Sequence, residues 1–173
     1  MKSMNHQLKE LAAQLQGRVL PAIALPSTRG GTINLVKIPN SFVLFIYPRT
    51  GRPDTTESSE WSIIPGAKGC TAETCEFRDL AADYAAHGYG LYGLSSQDTE
   101  YQSEASARLH LPYSLLSDVA LTVAESLNLP TFEFEGERLY VRSTLVIQAG
   151  VIAEAFLGIE NAADHPRQLL AEL

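Results

Sequence analysis

The sequence predicts an α/β fold in which a central mixed β-sheet is flanked by helices, and three observations carry that prediction. Phe42–Tyr47 (FVLFIY) is a continuous apolar run, the pattern of a strand buried on both faces. Strand-like and helix-like segments alternate along the rest of the chain. Two late strand-like segments, Leu139–Gln148 and Val151–Leu157, follow each other closely around the turn Ala149-Gly150, which makes the sheet mixed.

The elements follow in order. Asn5–Gln16 places Leu8, Leu11, Ala12 and Leu15 on one helical face, and Gly17 ends it. Pro21–Leu25 and Thr32–Val36 read as short strands around the turn Ser27–Gly31, a hairpin added before the main sheet. Pro48–Gly69 has no clear periodicity. It holds three prolines, three glycines and the polar cluster Asp54–Glu60, so residues 49–69 read as a loop insertion. Trp61, Ile63 and Ile64 suggest that its second half docks on the domain. Cys70–His87 reads as a helix with Phe77, Leu80, Ala81 and Tyr84 on one face and Gly88 as its stop. Tyr89–Leu94 is a strand. Asp98–Leu109 is a helix capped by Asp98 or Thr99. Leu115–Asp118 leads into a helix at Val119–Leu127. Thr131–Glu135 is a strand, and Ala162–Glu172 is a closing helix.

A length of 173 residues suits a single domain spanning 1–173, and 45% hydrophobic residues suffice for a sizeable core. The net charge of −7 repels phosphate backbones, which argues against nucleic acid as a partner. The polar N-terminus has no apolar stretch of signal-peptide type, and no run is long enough to cross a bilayer. A cytoplasmic location is therefore expected. There a close cysteine pair points to catalysis or metal rather than to a structural staple. The chain has two cysteines and four scattered histidines, which do not compose a zinc site, so no metal is expected.

The chemistry concentrates in Pro65–Asp79. Cys70 stands where a glycine-bounded loop becomes a helix. Unpaired N–H groups and the helix dipole there favour thiolate over thiol. Lys68 adds a positive charge nearby. Cys70, Glu73 and Phe77 share a helix face by their spacing. Cys75 lies about 140° around the axis, and its Cα is roughly 8–9 Å from that of Cys70, too far for a disulfide in an intact helix. Cys75 is then either an ordinary buried cysteine or a partner that Cys70 meets only after the first turns unwind.

The segment Gly69-Cys70-Thr71, with Glu73, Cys75 and Phe77-Arg78-Asp79, resembles the active site of peroxiredoxins of the PrxQ or bacterioferritin comigratory protein type. Tyr47-Pro48, Tyr89–Ser95, Leu111-Pro112-Tyr113-Ser114-Leu115-Leu116-Ser117-Asp118 and Arg142–Ile147 resemble further family segments in the same order. The likeness runs from about Pro21 to the C-terminus. It implies a thioredoxin-like fold, Cys70 as the peroxidatic cysteine and Cys75 as the resolving one. It also implies Arg142 as the arginine beside the thiolate and Glu73 as the acid that orients it. A guanidinium there lowers the thiol pKa and supplies donors to the peroxide oxygens. Read alone, Arg142 is a strand-end arginine and Glu73 a helix first-turn acid.

One departure stands out. The family pattern Pro-x-x-x-Thr/Ser-x-x-Cys, counted back from Cys70, falls on Ala67 and Ile63. Taking Pro48 as the family proline makes the following segment an insertion. The peroxide-binding hydroxyl then comes from Thr50 or from Thr71, or is missing. The expected function is a thiol peroxidase for hydrogen peroxide and alkyl hydroperoxides. It would work through a cysteine sulfenic acid and an intrachain Cys70–Cys75 disulfide, recycled by thioredoxin or a similar dithiol, without metal or organic cofactor. The chain is expected to act as a monomer or homodimer. The alternatives are a general thiol–disulfide oxidoreductase, which the C-x4-C spacing disfavours, and a non-enzymatic redox-sensing module.

Overall fold

The computed structural model describes residues 3–51, 61 and 69–173. The greater part of the expected 49–69 insertion, together with Ile63, Ile64, Ala67 and Lys68, lies outside the described residues. The helices are α1 (Met4–Leu15), α2 (Cys70–Ala86), α3 (Thr99–Leu109), α4 (Thr122–Leu127) and α5 (His165–Leu170). The strands are β1 (Ala24–Pro26), β2 (Thr32–Asn34), β3 (Phe42–Ile46), β4 (Gly90–Ser95) and β5 (Ser114–Ser117), then β6 (Thr131–Phe134), β7 (Glu137–Tyr140), β8 (Ser143–Gln148) and β9 (Val151–Leu157). No helix among the described residues is long and apolar enough to cross a membrane.

Five strands form the central sheet in the order β5-β4-β3-β8-β9. β3, β4 and β5 are parallel, and β8 and β9 run antiparallel beside β3, so the sheet is mixed. The hairpins β1–β2 and β6–β7 stand outside it. This is the thioredoxin-like α/β arrangement. β3 is central, and every residue from Phe42 to Tyr47 is buried. Alternation then divides the run between two cores. Phe42, Leu44 and Ile46 join the core that includes Leu15 of α1 and Leu127 of α4. Val43, Phe45 and Tyr47 join the core that includes Phe77 and Tyr84 of α2 and Leu169 near the C-terminus.

The second core seats α2. Phe77 stacks on Phe45 with ring centroids 4.4 Å apart, and Tyr113 meets Phe45 edge-on at 5.5 Å. Gly93 makes room for this. A Cβ built there would stand 2.6 Å from Leu115 Cδ2 and 2.8 Å from the Phe45 ring. Tyr84 Oη donates to the Pro166 carbonyl at 2.6 Å, tying the end of α2 to α5.

Among the expected boundaries that move, three have a clear physical reason. The strand read over Leu139–Gln148 is two strands. β7 pairs with β6, the chain breaks at Val141-Arg142, and β8 enters the central sheet. The helix read from Val119 begins at Thr122. Leu121 is left-handed with φ 55°, and the Asp118 carboxylate accepts from the Thr122 and Val123 N–H groups. The closing helix begins at His165 rather than Ala162, because Asn161 and Asp164 bond to each other in a turn before it. Ser114–Ser117 forms a strand, β5, that the periodicity did not reveal.

Candidate active site around Cys70

Cys70 is the first residue of α2. Its N-cap is Gly69, left-handed at φ 103°, a conformation that favours glycine; a Cβ there would also come within 3.1 Å of the Ala162 Cβ. Local geometry thus turns the chain abruptly into the helix and leaves the cysteine at its start. The side chain is buried.

Arg142 arrives from the opposite direction, at the break between β7 and β8. Its carbonyl accepts from Gly158 and Ile159 at 2.9 and 3.0 Å, which pins the backbone to the end of β9. Its guanidinium is buried and bridges two groups of α2. Nη2 donates to Cys70 Sγ at 2.9 Å, and Nη1 donates to Glu73 Oε1 at 2.7 Å. Both side chains of the Arg142–Glu73 ion pair are fully buried. The structure therefore brings Cys70, Glu73 and Arg142 together, and the Arg49 main-chain N–H also donates to the Cys70 sulfur.

The electrostatics are finely opposed. Burial pushes the Cys70 thiol up, because a dry pocket disfavours the thiolate; the Arg142 charge, the Arg49 N–H and the Arg142 hydrogen bond pull it down, and the Glu73 charge adds to the rise. The net direction is upward, which corrects the expectation of a lowered thiol pKa. The guanidinium acts in the expected direction, but burial outweighs it. Burial likewise pushes the Glu73 carboxyl up, to about 7, against the pull of Arg142. One guanidinium charge faces two acids, so Cys70 and Glu73 compete to be its anion. Glu73 Oε2 is buried without a hydrogen-bond partner among the described residues.

No disulfide joins Cys70 and Cys75, and Cys75 is half-buried. Both sit in a continuous helix. The start of that helix is held at Thr74, whose hydroxyl donates to the Cys70 carbonyl at 2.6 Å and whose carbonyl accepts from Tyr113 Oη at 2.7 Å.

The candidate hydroxyls fare differently. Thr71 is exposed, about 100° around the helix from Cys70. Thr50 is buried, but its N–H and hydroxyl turn to Gln97 Oε1 at 3.2 and 3.4 Å. Neither makes a hydrogen bond to the sulfur among the described residues, which leaves the third alternative, a missing hydroxyl, in agreement with the geometry. Pro48 is buried at the end of β3, immediately before Arg49. A cavity of about 640 Å³ is lined by Arg49, Gln97, Tyr101, Leu121, Arg138 and Leu139 among others, and Cys70 is not one of its lining residues.

Sequence reasoning missed Arg49 and Tyr113. Both lie inside segments it had marked, beside Pro48 and within Leu111–Asp118. Their roles run through a main-chain N–H and a contact to a main-chain carbonyl, which residue type does not announce. His165 is a structural histidine. The ring is buried between Phe77 and Phe156, 2.9 Å from Thr144 Oγ1, and burial pushes it down to about 4.

Comparison with known proteins agrees with this geometry. The Redoxin family profile matches residues 15–171. Peroxiredoxin bcp1 of Schizosaccharomyces pombe is 33% identical over 104 residues, covering 59% of this chain and 46% of that protein. A putative peroxiredoxin bcp of Coxiella burnetii is 27% identical over 110 residues, 63% of each. Chloroplastic peroxiredoxin Q of Triticum aestivum is 28% identical over 130 residues, 73% of this chain and 53% of that protein. The chain thus spans less than two thirds of the length of these curated relatives. Peroxidoxin BcpB of Mycobacterium tuberculosis superposes with a TM-score of 0.72 at 26% identity, covering 90% of this chain and 94% of that one. A cysteine-to-serine mutant of Xylella fastidiosa PrxQ shares the fold, with a TM-score of 0.73 at 18% identity over 91% of this chain and 93% of that one. A family match that runs over nearly the whole chain, with relatives that agree on one branch, means that the chain belongs to the Redoxin family as a peroxiredoxin of the PrxQ/Bcp type.

Proposed function

We propose that the chain is a thiol-dependent peroxidase of the atypical two-cysteine kind, acting on hydrogen peroxide and alkyl hydroperoxides and recycled by thioredoxin or a similar dithiol. The observation that carries this reading is the 2.9 Å approach of the Arg142 guanidinium to Cys70 Sγ at a helix start. The Cys70 thiolate attacks one oxygen of the hydroperoxide. An S–O bond forms and the O–O bond breaks. The leaving oxygen takes a proton and departs as water or an alcohol, and the sulfur is oxidised to sulfenic acid. Negative charge grows on the leaving oxygen, where the Arg142 donors stabilise it. The Arg49 N–H and Arg142 thus do the work expected of a family hydroxyl.

The first turns of α2 then open and the Cys75 sulfur attacks the sulfenic acid. Hydroxide leaves as water and the Cys70–Cys75 disulfide forms. A dithiol reduces it by exchange. A structural likeness supports the substrate class: the Xanthomonas campestris bacterioferritin comigratory protein, described as reducing alkyl peroxides, shares this fold at a TM-score of 0.72 and 20% identity. The test is NADPH oxidation coupled through thioredoxin reductase and thioredoxin, with and without peroxide. Cys70→Ser abolishes peroxide consumption, and Cys75→Ser consumes one peroxide per chain but does not cycle. Peroxide-independent disulfide turnover instead would favour a general oxidoreductase.

A further inference from the structure

Arg49 makes contacts at both its ends. Its main-chain N–H donates to the Cys70 sulfur. Its guanidinium carbon lies 4.3 Å from the Trp61 ring centroid and 5.2 Å from that of Phe134, with Glu137 Oε2 3.8 Å from Nη1. Trp61 is the only tryptophan in the chain and is 3% exposed. With Phe134 and Leu139 it forms a third small core on the β6–β7 hairpin, apart from the two cores of the central sheet, with Phe132 packed against it. Trp61 meets Phe134 edge-on at 5.0 Å.

Residues 49 and 50 are therefore gripped from two sides. Gln97 holds the Thr50 main chain through its N–H and its carbonyl, at 3.2 Å each. The aromatic cluster holds the Arg49 side chain. A main-chain donor that serves a nucleophile acts only while its peptide plane stays aimed, and β3 has already ended at Ile46. We propose that Trp61 is a positioning residue for Cys70: its ring holds the Arg49 side chain and so keeps the Arg49 main-chain N–H on the Cys70 sulfur. This rests on the reading of Cys70 as the reacting thiol. It gives Trp61, nine residues before Cys70 and touching no reacting atom, a hold on the nucleophile.

The experiment uses the full chain carrying Cys75→Ser, so that Cys70 is the only thiol, and follows alkylation by iodoacetamide as a function of pH. Trp61→Ala slows alkylation at neutral pH about tenfold, the scale of one cation–π contact, and moves its midpoint to higher pH. Trp61→Phe keeps an aromatic face and stays within about threefold of the parent. Arg49→Met keeps both the main-chain N–H and the intact Trp61, so it tests the same link without emptying the cluster, and it slows alkylation as Trp61→Ala does. The double variant is no slower than the slower single one, because both changes cut one connection. An unmoved midpoint in Arg49→Met, or multiplicative effects in the double variant, overturns the proposal. Alkylation does not depend on peroxide turnover. A chain that alkylates as described but fails to consume peroxide would refute the peroxidase reading and leave the clamp standing.

Discussion

Arg142 holds Cys70 and Glu73 with separate nitrogens, at 2.9 and 2.7 Å, so the sulfur and the carboxylate share one cation. Removing that cation removes the largest influence that pulls the thiol down. In Arg142→Met the Cys70 titration moves to higher pH. Its reaction with peroxide slows by about 10²–10³-fold, the loss expected for one donor to a developing oxyanion. Arg142→Lys recovers little, since a single ammonium does not serve two groups in the guanidinium's fork geometry. Stopped-flow reduction of hydrogen peroxide across pH measures both effects. An unchanged pH midpoint in Arg142→Met would sink the assignment.

Glu73 makes the opposite contribution. Its carboxyl is pushed up to about 7 by burial, from an ordinary value of 4.5. A group raised on folding contributes stability that is fully present below its unfolded value and fades as pH climbs through the folded one. The wild-type chain therefore loses stability between about pH 4.5 and 7, and Glu73→Gln does not. Urea midpoints at the two ends of that window decide the matter. Glu73→Gln also removes a charge that raises the Cys70 thiol, so the thiol titrates at lower pH in this variant. A slope that survives in Glu73→Gln would place the proton on another group.

Tyr113 bears on the opening of α2. Its hydroxyl donates to the Thr74 carbonyl at 2.7 Å, within the turns that must unwind before Cys70 and Cys75 can meet. In Tyr113→Phe the carbonyl keeps its partner within the helix, so the loss is about 1 kcal/mol rather than the larger penalty of an orphaned group. Disulfide formation after a single equivalent of peroxide becomes about fivefold faster, while global stability falls slightly. Rapid-quench sampling of the disulfide measures the rate. Lower stability with an unchanged rate would show that opening at Thr74 does not limit the step.

The frame and the position of the candidate cysteine were legible because each rests on local pattern. The run Phe42–Tyr47 has one reading, a central strand, and both of its alternating faces are buried. Cys70 was legible because a glycine-bounded loop turning into a helix is written in consecutive residues. Arg142 was found through the ordered motifs, yet the reason it reaches Cys70 was not. The segment Leu139–Gln148 reads as one strand, and the break that frees Arg142 arises because β7 belongs to a hairpin and β8 to the sheet. The net rise of the Cys70 thiol was illegible for a related reason. Burial is a property of the assembled pocket, whereas the arginine and the helix start are visible in the chain. Trp61 was expected to dock, but its partners Arg49, Phe132 and Phe134 lie up to 73 residues away, and only the tertiary fold joins them.

Gly93 tests how tightly the floor of the site is packed. It lies opposite Phe45 in the parallel ladder of β3 and β4. An added Cβ meets Leu115 at 2.6 Å and the Phe45 ring at 2.8 Å. The Phe45 ring cannot simply retreat, because Phe77 stacks on it at 4.4 Å and Tyr113 closes its edge at 5.5 Å. Gly93→Ala therefore destabilises the chain by about 1–3 kcal/mol, the usual cost of overfilling a packed core, despite alanine's lower backbone entropy cost. The displacement passes through Phe77 to α2, so the variant also slows the reaction of Cys70 with peroxide. Gly93→Ala paired with Phe45→Leu recovers much of the stability, since the shorter side chain vacates the space the methyl needs. Denaturant unfolding of the two variants checks this, and a Gly93→Ala chain as stable as wild type would mean that the Phe45–Phe77 stack yields more readily than its geometry implies.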